Sequence, residues 1–143
     1  MRYLGIDPGR KRVGLAISDP GEMLATPLAV VARRSLEQVV GEIAATCRRE
    51  AVGALVVGLP LNMDGSRGRA AEEAARLAAL AAEATGLSVE LWDERLSSVT
   101  AERTMLESDM SRAKRRRRID KVAAQIILQS FLDARRGGHS RST

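Results

Sequence analysis

The chain has 143 residues and a formal net charge of +5, a length typical of one domain whose core needs no disulfide. Its one cysteine, its lack of a long apolar run and an N-terminus that enters a strand at once argue against disulfide scaffolds, membrane spans and signal peptides. We therefore expect a cytoplasmic protein. Because 23 residues are basic and only 2% are aromatic, we expect a polyanionic partner held by its backbone rather than by base stacking.

The first apolar run ends in Asp7, and a Pro-Gly turn and three basic residues, Arg10, Lys11 and Arg12, separate it from a second run. This pattern predicts a β-hairpin. A carboxylate at a strand end beside glycine and arginine can hold a metal ion against a phosphate. It can equally cap its own turn, and this segment alone leaves both interpretations open.

The next segments continue an antiparallel meander and then begin a helix. We predict three strands, at residues 2–7, 12–18 and 24–32. Pro27 favours an edge position for the third strand, since proline cannot donate to a central ladder. Ser35 and Gln38 fit a capping box that opens a helix ending near Arg49, with Cys47 on its apolar stripe as a plain core thiol.

Strands and helices alternate over the rest of the chain. We predict strands at 52–58 and 87–92 and helices at 67–85, at 96–107 and from about 119 to 136. The apolar run at 52–58 is typical of a strand buried on both faces. The fold class is therefore α/β, a five-stranded mixed sheet flanked by helices, in a single domain at 1–136 with a disordered tail at 137–143.

The loop at 59–66 lies at the carboxyl end of a buried strand, where open α/β sheets gather ligands. Within it Asn62 could donate to a phosphate, although a turn role is slightly favoured. The run at 112–118 contains six cations in seven residues. Its side chains are either a solvated mobile loop or, because the run directly precedes Asp120, a clamp for substrate phosphates.

Asp120 lies on the apolar face of the last predicted helix, at the spacing shared by Ala124, Ile127 and Phe131. A carboxylate directed at the core is costly unless an arginine pairs with it or a metal binds it. If it converges with Asp7 and the 93–94 acidic pair, the cluster suits Mg²⁺ or Mn²⁺, which prefer oxygen ligands. The only histidine, His139, falls in the predicted tail, which disfavours histidine general-base chemistry.

The sequence resembles the YqgF-type family, whose members are assigned to the processing of pre-16S rRNA or to the resolution of Holliday junctions. The matching segments are GIDPG at 5–9 with GLAISD at 14–19, VGLPLNMDG at 57–65, DERLSS at 93–98 and IDKVAAQIILQ at 119–129. The resemblance implies a ribonuclease-H-like fold and an acidic, divalent-metal active site. Carried over, the catalytic and metal-binding residues are Asp7, Glu94 and Asp120, with Asp93 as the alternative to Glu94. The expected nucleic-acid-binding residues are Arg10, Lys11, Arg12, Asn62, Arg95, Lys114, Arg115 and Arg116.

Two activities follow from the resemblance, and we favour 5′-end maturation of pre-16S rRNA over cutting of four-way DNA. A resolvase makes paired cuts as a symmetric dimer, whereas no long apolar surface is evident outside the predicted core, so we expect a monomer or weak homodimer. A non-catalytic rRNA-binding assembly factor is a further alternative. Asp7-Pro8-Gly9 also resembles the first phosphate loop of sugar kinases and actin-type ATPases, but that architecture needs a second domain to enclose a nucleotide.

Overall fold

The computed structural model describes residues 1–106 and 112–138. The strands are β1 (Arg2–Pro8), β2 (Arg12–Ser18), β3 (Ala25–Ala32), β4 (Val52–Leu59) and β5 (Ser88–Asp93). The helices are α1 (Leu36–Arg49), α2 (Arg69–Thr85), α3 (Val99–Leu106) and α4 (Arg112–Gly138), and a 3₁₀ turn spans Glu94–Leu96.

The five strands form one mixed sheet in the order β3-β2-β1-β4-β5. β1 pairs antiparallel with β2 and β2 with β3, whereas β1 pairs parallel with β4 and β4 with β5. The predicted meander and mixed sheet are therefore confirmed. Pro27 does lie on the edge strand, at a register shift where the ladder to β2 is interrupted.

Helices cover the two faces of the sheet, and the alternation of side chains along β1 decides which face each residue joins. Leu4 and Ile6 are fully buried against the layer formed by α1 and α2. Tyr3, Gly5 and Asp7 lie on the other face, where α4 crosses β1, β2 and β3. Asp7 is thus placed beneath α4 by the same alternation that builds the core.

Glycines in the sheet allow α4 to approach closely. A methyl group on Gly5 would lie 2.7 Å from the Cβ of Leu128, and one on Gly14 would clash with the backbone carbonyl of Asp120. A methyl group on Gly58 of β4 would lie 2.8 Å from Ile127. The sheet therefore has a groove without side chains into which the helix fits, and this groove sets the position of Asp120.

Local signals predicted the helix of residues 36–49 correctly. The Ser35 side chain accepts from the backbone N–H of Gln38, and the Gln38 side chain accepts from the backbone N–H of Ser35, so the capping box is complete. Cys47 is buried, and burial raises the pKa of its thiol, as expected for a core cysteine.

The start of α4 differs from the prediction. The helix begins at Arg112, about seven residues before the predicted start, so the basic run forms its first turns rather than a loop. Arginine, lysine and alanine are good helix formers, and their propensity outweighs the repulsion among like charges. At the other end α4 includes Gly137 and Gly138, and the rest of the predicted tail, with His139, lies outside the described residues.

Within the described residues, no helix combines the length and apolar character that crossing a membrane requires.

Candidate active site

Asp7 is the last buried residue of β1. Only 4% of its surface is exposed, and it pairs in register with Gly14 of β2. The turn that follows carries the exposed side chains of Arg10 and Lys11. A buried carboxylate therefore lies next to a solvent-facing basic turn.

Glu94 directly follows β5, and its surroundings differ from those of the neighbouring Asp93. Asp93 accepts hydrogen bonds from the backbone and the guanidinium of Arg95, and these bonds lower the pKa of its carboxyl. Glu94 opens the 3₁₀ turn with 8% of its surface exposed, and its side chain packs over Gly58 of β4. Adjacent residues thus face opposite ways, and Glu94 is the one on the Asp7 side.

Arg103 of α3 joins the two buried carboxylates. Its Nη2 donates to Asp7 Oδ1 at 2.9 Å, and its Nη1 lies 3.5 Å from Glu94 Oε1. Sequence reasoning missed this residue. A signal was available, because Arg103 lies four residues after the fully buried Val99, on the inward side of the same helix.

Burial dominates the electrostatics of this group. It raises the pKa of Asp7, an effect that Arg103 opposes and that the Asp120 carboxylate reinforces. Burial also raises the pKa of Glu94, to about 7, together with repulsion from Asp7 and against the attraction of Arg103. Burial by itself would lower the pKa of Arg103, but Asp7 and Glu94 outweigh it and raise that pKa. Among the described residues, Arg103 is the cation that contacts both buried acids.

Asp120 lies at the edge of this group with its side chain 15% exposed. Arg12 donates to its Oδ2 at 2.5 Å, so the pairing arginine that sequence reasoning allowed is present. Ala124, Ile127 and Phe131 are buried, as their spacing with Asp120 predicts. Among residues 1–106 and 112–138, no three carboxylate, histidine or cysteine side chains form a group that could hold a metal ion. The three predicted carboxylates lie at one edge of the sheet, where Arg103 contacts Asp7 and Glu94 and Arg12 contacts Asp120.

The other predicted nucleic-acid-binding residues fall into three groups. Arg95 is exposed and also donates to the backbone carbonyl of Met63 at 3.2 Å. Asn62 is exposed, and its amide donates to the Ser66 hydroxyl at 2.9 Å, which is the contact expected of a turn residue. Lys114, Arg115 and Arg116 belong to the first turns of α4, and their side chains lie outside what the structure describes.

A family model described as RuvX, Holliday junction resolvase, matches residues 1–134. The chain belongs to this family. A relative from Myxococcus xanthus, provisionally named a pre-16S rRNA nuclease, is 49% identical over 136 residues, which are 95% of this chain and 90% of the relative. A relative of the same name from an Anaeromyxobacter species is 51% identical over 94% of this chain and 98% of its own. The resemblance that the motifs indicated is thereby confirmed.

Solved structures agree on the fold. T. thermophilus RuvC in complex with a Holliday junction substrate superposes with a TM-score of 0.62 at 19% identity, over 96% of each chain. The fowlpox virus Holliday junction resolvase superposes with a TM-score of 0.54 at 12% identity, over 94% of this chain and 99% of its own. The fold is therefore ribonuclease-H-like. The family model and the named relatives together show that this RuvX-family chain is a nuclease, which hydrolyses phosphodiester bonds in nucleic acid.

Proposed function

We propose that this chain is a divalent-metal-dependent endonuclease that matures the 5′ end of pre-16S rRNA. The observation that carries the proposal is the buried pair of Asp7 and Glu94 at the edge of the sheet, beside an exposed basic turn. Two adjacent carboxylates repel each other and are costly to bury, so such a pair is more typical of a functional site than of a core. The names of relatives about half identical to this chain support rRNA as the substrate.

The donor chemistry fits a divalent cation. Asp7, Glu94 and Asp120 offer hard carboxylate oxygens, and the residues that adjoin them in the described contacts are arginines rather than histidine or cysteine. Oxygen donors of this kind suit Mg²⁺ or Mn²⁺. Asp7 and Glu94 would hold the ion, and Asp120, which pairs with Arg12 in this structure, would join them as a third ligand only if that ion pair opened.

Such an ion, when bound, activates water and stabilises charge that develops on phosphate oxygens. The protein's own contribution is positional. The packing of Glu94 over Gly58 and the register of Asp7 with Gly14 keep both carboxylates at one edge. The exposed Arg10 and Lys11 lie in the turn that follows Asp7, where a nucleic-acid backbone would neutralise their charge.

Cutting of four-way DNA is a second candidate, because the family model is described as a Holliday junction resolvase. Both candidates use the same carboxylates and differ only in the nucleic acid that the basic surface accepts.

Cleavage assays with a matched control test the proposal. Wild-type protein and the Asp7→Asn, Glu94→Gln and Asp133→Asn variants are incubated with labelled pre-16S rRNA and with a synthetic four-way junction, in Mg²⁺, in Mn²⁺ or in chelator. Asp133 is an exposed acid of the same helix as Asp120, paired with Arg136, and controls for loss of one charge.

We expect metal-dependent cutting of the precursor that falls at least about 10²-fold in Asp7→Asn and Glu94→Gln, as for loss of one positioned catalytic group, and persists in Asp133→Asn. Cutting of the junction alone would replace the rRNA assignment with the resolvase one. Equal binding by all four proteins, with no cutting of either substrate, would indicate the assembly-factor alternative and contradict the proposal.

A further inference from the structure

The guanidinium of Arg103 lies against the two carboxylates that the proposed function assigns to a divalent cation. It contacts Asp7 Oδ1 at 2.9 Å and Glu94 Oε1 at 3.5 Å, and it comes from a third element, α3. These are oxygen atoms of the same two carboxylates that the proposed function assigns to a divalent ion. A metal ion that binds through these two oxygen atoms competes with the guanidinium for their lone pairs.

The pair of acids depends on this arginine for charge compensation. Asp7 and Glu94 are almost fully buried, so solvent screens their mutual repulsion only weakly. Arg103, in contrast, keeps 35% of its side chain exposed. Its guanidinium can therefore leave the acids for solvent, whereas the carboxylates are held by the sheet and the 3₁₀ turn.

We propose that Arg103 is a resident counter-cation that a divalent metal ion must displace from Asp7 and Glu94. It is a positioning residue, because its guanidinium contacts both carboxylates and holds them together until the metal binds. The inference rests on the proposed function, since it takes Asp7 and Glu94 as metal ligands. It predicts that removing this arginine strengthens metal binding, whereas the loss of a positioning residue usually weakens binding.

Titration calorimetry with Mg²⁺ and Mn²⁺ tests this prediction by measuring the metal Kd of four proteins. These are the wild type, Arg103→Met, Arg103→Lys and Arg2→Met. Methionine keeps an apolar stem without charge, and lysine keeps the charge without the two-pronged fork. Arg2 is a matched control, because it is a partly exposed strand arginine that pairs with Glu50 instead. All titrations are run in one buffer at one pH, so that the Kd values of the four proteins can be compared directly.

We expect the metal Kd of Arg103→Met to fall by ~10–100-fold, the equivalent of one charged hydrogen bond that no longer has to be broken. Arg103→Lys should lie between that variant and wild type, and Arg2→Met should match wild type. A merely structural role predicts the reverse, since disordered carboxylates would bind metal more weakly. An unchanged or raised Kd in Arg103→Met, with wild type binding metal normally, would overturn the inference and leave the proposed function intact.

A second measurement does not depend on the metal affinities of the variants. Side-chain NMR of wild-type protein follows the Arg103 Nε–H signal, identified by its loss in Arg103→Lys spectra, during the metal titration. A signal that shifts in proportion to metal occupancy supports displacement. A signal that stays in place while the metal binds overturns it, and failure of any metal to bind overturns the inference together with metal dependence.

Discussion

Asp7 and Glu94 are acidic residues at buried positions, where apolar side chains would make the folded state more stable. Each loses most of its hydration, and the Arg103 guanidinium that contacts both carboxylates recovers only part of that loss. The folded state is therefore strained electrostatically at this point, as catalytic sites often are. That strain can be measured in the absence of metal.

Glu94 makes stability depend on pH. Burial raises the pKa of its carboxyl from 4.5 to about 7, in surroundings that include Asp7 from β1, Arg103 from α3 and the preceding Asp93. Between those two values the folded state binds more protons than the unfolded state, so stability falls as the pH rises. The contribution of Glu94 to stability is fully present below the unfolded-state pKa of 4.5, and it is lost above the folded-state pKa of about 7.

We therefore expect Glu94→Gln, measured in chelator, to be more stable than wild type at pH 8 and above, by at most ~3 kcal/mol on the linkage relation. The difference should shrink as the pH falls toward the ordinary carboxyl range. Thermal melts across pH provide the measurement, with the exposed Glu83→Gln of α2 as the control for one lost charge. Parallel pH profiles of stability for Glu94→Gln and wild type would contradict a raised pKa of Glu94 in the folded state.

The contact between α4 and the sheet controls the site at the level of elements. Gly5, Gly14 and Gly58 leave a groove, and α4 lies in it so closely that the Asp120 backbone meets Gly14. Since Gly14 is in register with Asp7, the same contact brings the two acids to one edge. The depth of the groove therefore determines where Asp120 stands.

We expect Gly14→Ala to destabilise the protein by ~1–3 kcal/mol, because the new methyl group must push α4 away from the sheet. Gly41→Ala is the matched control, since Gly41 is exposed within α1 and a methyl group there meets no atom within 4 Å. The control should gain ~0.5–1 kcal/mol from helix propensity. Denaturant melts of both variants check the prediction, and equal stability of the two would contradict the close contact.

The whole molecule is basic, and the charge is unevenly spread along the chain. The run at 112–118 stands at the start of α4, two to eight residues before Asp120 in the sequence. Its six cations make this segment the predicted site for a nucleic-acid backbone.

We expect neutralisation of Lys114, Arg115 and Arg116 to glutamine to weaken binding across nucleic-acid sequences and to flatten its salt dependence. The slope of log K against log salt should lessen by ~0.9 per lost duplex contact, or ~0.7 for a single strand. Three exposed arginines of the opposite layer, Arg48, Arg49 and Arg76, provide the control. Fluorescence anisotropy at several salt concentrations gives the slopes, and equal slopes for the two triple variants would rule out a clamp.

Local patterns in the sequence determined the elements and most of their limits. The Ser35 capping box, the edge position of Pro27 and the period of Ala124, Ile127 and Phe131 each depend on neighbours within a few residues. Helix α4 begins about seven residues earlier than predicted, because arginine, lysine and alanine are good helix formers even in a run of like charges.

Only the tertiary structure decided how the candidate site is composed. Arg103 and Asp7 are 96 residues apart, and Arg12 and Asp120 are 108 apart. Sequence reasoning could point each acid toward the sheet, but it could not decide which arginine meets which carboxylate. That choice follows from the strand order and from the groove that sets the depth of α4, and both arise when the elements pack together.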